Sequence, residues 1–160
     1  MRKLPIAAAL FLFAGAAAAN EPVDKVQQGL CLEFKVDGVS KPCNNDMLLK
    51  DDGKGSLDFI TGFTGERGAK KTVVDFELTQ TPDLENSYGY AFRIRGVRLM
   101  TYDDNDSRTI YPATGICFMV KPNPVKAGGK NIHQDIVHMC TANLTDPNAK
   151  IRKIDWKFVL

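Results

Sequence analysis

The chain has 160 residues, of which 44% are hydrophobic and 25% are charged. A chain of this length forms one domain or two small ones, and its composition is that of a soluble globular protein. The composition therefore excludes collagen, a coiled coil and a largely disordered chain as descriptions of the whole.

The first 19 residues have the layout of a secretory signal peptide. Arg2 and Lys3 form a basic start, residues 4–19 are uncharged and apolar, and the sequence becomes polar immediately afterwards. A basic end, an apolar middle and small residues before the cleavage point are typical of such signals. We predict cleavage after Ala19, which leaves residues 20–160 as a single domain that is periplasmic or secreted. The apolar run is shorter than the roughly 20 residues of a membrane span, and none is predicted.

Removal of the signal leaves no excess of either charge. The precursor has 21 basic and 19 acidic residues, and the signal holds two of the basic ones. Residues 20–160 therefore carry a formal net charge of zero. A neutral chain gives no argument for a nucleic acid or an anionic membrane surface as partner.

Apolar and polar residues alternate with a period of two along most of the chain, which is the pattern of half-buried strands. Clusters of Gly, Pro, Asn and Asp separate these runs, as turns do. Residues 24–29 are predicted to form at most one helical turn. We therefore predict a single all-β domain: an antiparallel β-sandwich or small β-barrel of about nine strands, stapled by two disulfides. The clearest alternating runs are residues 30–35, 56–59, 72–78, 88–95 and 153–160, and the turn clusters are 64–69, 81–86, 103–107, 121–131 and 143–148.

The first two cysteines flank a predicted hairpin. Four cysteines in an exported chain indicate two disulfides, with three pairings open. Residues 36–38 read Val-Asp-Gly, which suits a three-residue turn with glycine at a position of positive φ. Pairing Cys31 with Cys43 across that turn also sets Glu33 opposite Lys41 as a favourable charge pair.

The other two cysteines fit a second antiparallel register. Setting Cys117 opposite Cys140 pairs Phe118 with Met139 and Val120 with Val137 on one largely apolar side. The alternative is a zinc site made of both cysteines and His138, but the usual close Cys-x-x-Cys pair is missing. An oxidising compartment favours the disulfide, so we predict Cys31–Cys43 and Cys117–Cys140 and no metal.

Candidate catalytic and calcium-binding residues do not form a complete motif. On an extended strand His133 and Asp135 share one face while His138 takes the other, so the two histidines do not easily share a site. The acidic segment 103–107 has the alternate spacing of calcium ligands, but Arg108 stands where the calcium loop needs glycine. We predict no catalytic residue and no cofactor, and we interpret the acidic segment as a solvated hairpin tip with at most weak calcium binding.

The long segment 121–131 is the preferred site of partner contact, because loops of this length between paired strands are often functional. Arg93 and Arg95 are expected on the outer face of their strand, paired with Asp75 and Glu77 on a neighbouring one; the alternative is a docking stripe for an anion or an acidic protein. The candidate binding residues in the long segment are Lys121, Lys126, Gly128, Gly129 and Lys130.

The layout as a whole, an export signal followed by an Asp-Gly hairpin between Cys31 and Cys43 and an all-β chain with a second cysteine pair, resembles small disulfide-containing periplasmic proteins of Gram-negative bacteria. The resemblance brings no functional residues with it. Our first hypothesis is a binding or inhibitory module that acts on an unknown protein or small ligand through loops on a β scaffold. One alternative is a carrier of a small apolar ligand, with a cavity lined by the aromatic run Tyr88, Tyr90, Phe92, Phe76 and Trp156. The other is a hydrolase that uses His133 or His138.

Overall fold

Every regular element in the described part of the chain is a β-strand. The computed structural model describes residues 23–54, 56–64, 71–79, 82–86, 88–101, 109–120, 125–127, 130–132 and 136–160. No helix in these ranges is long and apolar enough to cross a membrane. The strands are β1 (Val23–Gln28), β2 (Leu30–Val36), β3 (Val39–Ser40), β4 (Asp46–Asp51), β5 (Ser56–Thr64), β6 (Lys71–Thr79), β7 (Leu84–Asn86), β8 (Gly89–Thr101), β9 (Thr109–Val120), β10 (Val125–Ala127), β11 (Lys130–Ile132), β12 (Val137–Leu144) and β13 (Lys153–Val159).

Eleven of these strands form one antiparallel sheet. Its order is β1-β4-β5-β6-β8-β9-β12-β13-β2-β3, and β7 also pairs with β8. The first strand in this order, β1, and the last but one, β2, are consecutive in the chain and separated only by Gly29. The sheet therefore curls back towards its own first strand as a half-barrel, which is the barrel-like of the two predicted architectures. The all-β class is confirmed.

The junction of β1 and β2 depends on a glycine. A Cβ atom at Gly29 would meet the carbonyl oxygen of Val159 and the ring of Phe158 at distances that no packed side chain adopts. The N–H of Gly29 also donates to the carbonyl oxygen of Asn45 at 3.0 Å, which continues the pairing of β1 with β4 by one residue. Glycine is needed here because two backbones approach closely.

Aromatic rings from facing parts of the curled sheet fill its interior. Phe59 on β5 and Trp156 on β13 lie 6.4 Å apart between ring centroids, and Phe76 on β6 stacks on Trp156 at 5.9 Å. Phe34 on β2 meets Phe63 on β5 at 4.9 Å. All five rings are buried. Contacts of this kind contribute beyond their buried area, and they hold together strands that are not neighbours in the sheet.

Both predicted disulfides are present, and the register of the second is confirmed. Cys117 and Cys140 are joined and lie directly opposite each other in the ladder between β9 and β12. Phe118 faces Met139 in the same ladder. The two cysteines are buried, so the interior side of this strand pair carries the disulfide and the apolar side of the pattern faces outward.

The first disulfide pairs the predicted cysteines, but the hairpin between them has a different geometry. The turn has two residues, Asp37 and Gly38, with φ of 51° and 82°, and it sets Val36 opposite Val39. This is the primed turn that matches strand twist. The ladder ends at Ser40, so Cys31 and Cys43 do not face each other within it.

The predicted charge pair between Glu33 and Lys41 is wrong for the same reason. The shorter turn moves the register by one residue, and Glu33 instead accepts a hydrogen bond from Lys35 at 2.7 Å on its own strand. Cys43 forms an isolated bridge with Phe63 on β5. The disulfide therefore ties β2 to the segment that crosses towards β5.

A β-bulge in β2 reverses the predicted face of its first residues. The ladder with β13 pairs Phe34 with Trp156 but Cys31 with Phe158, so one residue of β2 is extra. A bulge of this kind flips the side-chain alternation. Leu30 and Leu32, which the pattern placed on the same face as Phe34, are consequently about half exposed.

Three further segments differ from the prediction. Residues 24–29 do not form a helical turn, because residues 23–28 are strand β1, paired with β4. Strand β7 lies inside the predicted turn cluster 81–86, β10 lies inside 121–131, and β11 begins inside 121–131 and ends at Ile132. These short strands bring the number of strands in the described residues to thirteen instead of about nine.

Candidate functional site

The segment predicted to contact a partner contains a small hairpin. Strands β10 and β11 pair with each other and form a sheet of their own, with Lys126 in register with Asn131. The hairpin follows the end of β9 at Val120. The candidate residues Lys121, Gly128 and Gly129, and the side chains of Lys126 and Lys130, lie outside the described residues. His133, Asp135 and the acidic segment 103–107 lie outside them as well.

An apolar recess of about 230 Å³ opens on the outer surface at the same end of β9. Its walls come from the hairpin of β7 and β8 on one side and from the last residues of β9 on the other. Pockets that enclose a small molecule usually measure about 300–1,000 Å³, so this recess is of a size for one or two side chains. It is lined by Leu84, Asn86, Tyr88, Gly89, Tyr90, Ala91, Phe118, Met119 and Val120.

Three apolar side chains at the recess are strongly exposed. Tyr88 is 71% exposed, Leu84 is 55% exposed and Phe118 is 39% exposed. The turn that carries Tyr88 is fixed, because the side-chain oxygen of Asn86 accepts hydrogen bonds from the N–H groups of Tyr88 and Gly89 at 2.8 and 3.2 Å. Asparagine stabilises a turn in this way. An aromatic ring held in solvent beside an apolar recess is a common mark of an interaction site.

The aromatic run that suggested a ligand cavity divides between the core and this surface. Phe92 is buried and packs 6.2 Å from Tyr90, which lines the recess, while Tyr88 faces solvent. Phe76 and Trp156, the other members of that run, stack on each other inside the sheet. The carrier hypothesis needs an open cavity inside the sheet. In the described residues, aromatic rings fill that interior.

His138 is a core residue. Its exposure is 0%, and neither ring nitrogen has a hydrogen-bond partner among the described residues. The edge of the imidazole meets the ring of Phe59, with centroids 5.2 Å apart, and Phe158 lies beyond it at 6.5 Å. Burial lowers the pKa of His138 to about 4, so the ring is neutral at ordinary pH. An imidazole in this position does not reach a substrate in solvent.

A cluster of charged side chains covers the outer face of β5, β6 and β8. The guanidinium of Arg98 donates to Glu77 at 2.7 Å and lies 3.8 Å from a carboxylate oxygen of Asp75. The prediction that Arg93 pairs with Asp75 or Glu77 is wrong, because Arg93 is exposed and pairs with Asp83 at 3.0 Å. Arg95 is exposed on the outer face, as predicted. A bulge between Arg93 and Gly96 changes the register here and brings Arg98 opposite Asp75.

Asp75 has an unusual environment within this cluster. It is only 2% exposed although it lies on the outer side of the sheet, and one of its carboxylate oxygens has no hydrogen-bond partner among the described residues. Burial, and then the neighbouring Asp58, raise the pKa of Asp75 to about 7. No signal in the sequence distinguishes Asp75 from the other acidic residues of the strand, because its burial arises from neighbouring strands.

The described residues contain no group of three or more His, Cys, Asp or Glu side chains placed to hold a metal ion. No family model, no curated protein and no solved structure matches the chain. Among the described residues, Tyr88 beside the recess is the most exposed large hydrophobic side chain.

Proposed function

We propose that the protein is an exported, periplasmic binding or inhibitory module that holds a partner protein at the end of strands β8 and β9. In this proposal the recess receives an apolar side chain of the partner, and the neighbouring segment 121–130 contributes further contacts. The two disulfides are consistent with an oxidising compartment outside the cytoplasm, which supports the export that the signal-like first 19 residues predict.

The observation that carries the proposal is the display of Tyr88 on a fixed turn beside an apolar recess. Tyrosine in such a position supplies a large contact area at little entropic loss, and it is enriched among the residues that dominate protein interfaces. A rigid β scaffold with a variable end is also a common way of presenting binding residues. The three lysines at 121, 126 and 130 favour a partner surface that carries acidic groups around its apolar contact.

A carrier of a small apolar ligand is the second candidate, and the recess beside Tyr88 is the larger of two recesses found in the described residues. The recess is smaller than the usual pocket for a drug-sized molecule, and the rings of Phe59, Phe76 and Trp156 occupy the interior. These two observations favour the binding module.

Site-specific photocrosslinking in the exporting cell tests the proposal. A photoreactive phenylalanine analogue replaces Tyr88, and the matched control carries it at Val39, which is 51% exposed beside another hairpin turn. We expect a protein adduct from position 88 that the control does not form. If no protein adduct forms from position 88, or if the same adduct forms from positions 88 and 39, the proposal is wrong.

Shortening residues 121–130 to a tight turn gives an independent test. We expect the circular dichroism spectrum of the domain to be retained, because β10 and β11 pair only with each other among the described strands. The yield of the position-88 adduct should fall, since the shortened chain lacks the neighbouring contacts. An unchanged yield would remove the segment from the binding site.

A further inference from the structure

We propose that Asp75 on the outer face of β6 is a proton-binding site that tightens the pairing of β6 with β8 in acid and loosens it as the medium becomes neutral. The β6–β8 pairing is therefore a part of the sheet that is more stable at low pH than at neutral pH. The site at Asp75 lies apart from the recess, and the proposal does not rest on the function proposed above.

The alternation of β6 places Asp75 outward. Val74 and Phe76, on either side of it, are completely buried in the core, so Asp75 points to the opposite face. Its neighbours in the ladders are Ile60 on β5 and Arg98 on β8. These two side chains flank the carboxyl group and contribute to its very low exposure, in a place where a strand residue would normally meet water.

Charged groups from four strands face this position. Asp58 on β5 lies opposite Glu77 on β6, and Lys50 on β4 lies opposite Asp58. Arg98 on β8 is shared between Glu77 and Asp75. Three carboxyl groups therefore meet two cationic side chains. When all three are ionised, one negative charge has no matching cation within the cluster, and like charges at short range disfavour ionisation.

The hydrogen bonds of the cluster leave Asp75 as the group that takes the proton. Glu77 accepts the short hydrogen bond of Arg98, and Asp58 accepts one from the hydroxyl of Ser56 at 3.2 Å. Asp75 has only the longer contact with Arg98, and its second oxygen has no partner. Burial raises the pKa of Asp75 to about 7, and burial also raises the pKa of Asp58.

The consequence is a proton-linked opening of the β6–β8 ladder. When the ladder opens, Asp75 returns to water and to its ordinary pKa of 3.8. The closed form therefore binds the proton more strongly, so the opening constant should rise by up to about tenfold per pH unit between these two pKa values and level off above the higher one. The ladder has a register shift between Glu77 and Leu78, so the pairing of β6 with β8 is already irregular two residues from Asp75.

Nuclear magnetic resonance of the oxidised protein tests the inference directly. The carboxyl carbon of Asp75 should titrate with a midpoint near 7, and amide exchange in β6 and β8, corrected for intrinsic chemistry, should accelerate as the pH rises towards that midpoint. A midpoint at the ordinary value for aspartate would overturn the proposal, and so would exchange in β6 and β8 that is independent of pH.

Two variants separate the proton site from general effects of charge. Asp75→Asn should hold β6 and β8 in the protected state at every pH, because a neutral side chain replaces the titrating one. Asp155→Asn is the matched control, since Asp155 also lies on an outer strand face and pairs with Lys153 at 3.1 Å, and it should leave the pH dependence of β6 and β8 unchanged. Equal loss of the dependence in both variants would contradict the assignment to Asp75.

Discussion

Replacing His138 by leucine should remove an acid-induced loss of stability from the protein. The imidazole is fully buried against Phe59, and its two nitrogens have no partner in the described part of the chain. Burial lowers its pKa to about 4, from 6.5 in the unfolded chain. The unfolded state therefore takes up a proton that the folded state refuses, so this contribution is complete above pH 6.5 and is lost as the pH falls towards 4.

The size of the effect follows from the shift. About 2.5 pH units at about 1.4 kcal/mol each give about 3 kcal/mol. At about pH 7.5 the leucine variant should lie within about 1 kcal/mol of the wild type, because the loss of ring contacts is offset by the removal of two unsatisfied buried nitrogens. As the pH falls to about 4, the free energy of unfolding of the leucine variant should rise by about 3 kcal/mol relative to that of the wild type.

Urea unfolding followed by the fluorescence of Trp156, the only tryptophan, measures both proteins at each pH. Taking the difference between them cancels the titration of every other group. Ile94→Leu serves as the control, because Ile94 is equally buried on β8 and neither side chain titrates, so its difference from the wild type should not change with pH. If the difference in unfolding free energy between His138→Leu and the wild type is the same at about pH 7.5 and about pH 4, the conclusion that the imidazole is buried and neutral is wrong.

Three other substitutions test the architecture by the same unfolding assay. Gly29→Ala should cost more than about 1 kcal/mol, since a methyl group there would overlap Val159 and Phe158; a neutral effect would show that the backbone at Gly29 does not lie so close to β13. Replacing both Cys117 and Cys140 by alanine should cost about 3 kcal/mol through the entropy of the unfolded chain, and no loss would contradict that account. Phe59→Ala should lower the free energy of unfolding by about 3–5 kcal/mol, because it leaves a cavity. A far smaller loss would show that the surrounding side chains collapse into the space.

The sequence is informative about the fold wherever a pattern is local. The register between β9 and β12 follows from the cysteine positions, because setting Cys117 opposite Cys140 also brings the apolar residues of the two strands onto one side. The hairpin at Asp37 and Gly38 is signalled by turn chemistry, although the pattern does not distinguish a two-residue turn from a three-residue one. That single residue moves Glu33 away from its predicted partner.

Features that depend on several strands at once are hidden from such patterns. The bulge opposite Phe158 turns Leu30 and Leu32 outward although they alternate correctly with Phe34. Burial of Asp75 is equally non-local, since it requires neighbours from β5 and β8. The sequence indicates one part of the candidate binding site, the segment after Val120. It does not indicate the recess, because the other wall of the recess is formed by β7 and β8.

The two buried titrating groups act on stability in opposite directions. His138 makes the fold weaker as the pH falls below 6.5, while Asp75, whose pKa is raised to about 7, makes it stronger over nearly the same interval. Each contributes a slope of about 1.4 kcal/mol per pH unit, so the two slopes largely cancel between about pH 4 and 6.5. Asp58, whose pKa is also raised, adds to the slope of Asp75.

The stability of the wild-type protein should therefore be nearly constant across that pH interval, although both His138 and Asp75 titrate in it. Asp75→Asn should reveal a stability that rises with pH, and His138→Leu one that falls with pH. With this compensation the β6–β8 pairing responds to protons while the stability of the fold as a whole changes little. A wild-type profile as steep as that of either variant would show that one of the two groups does not titrate as its burial requires.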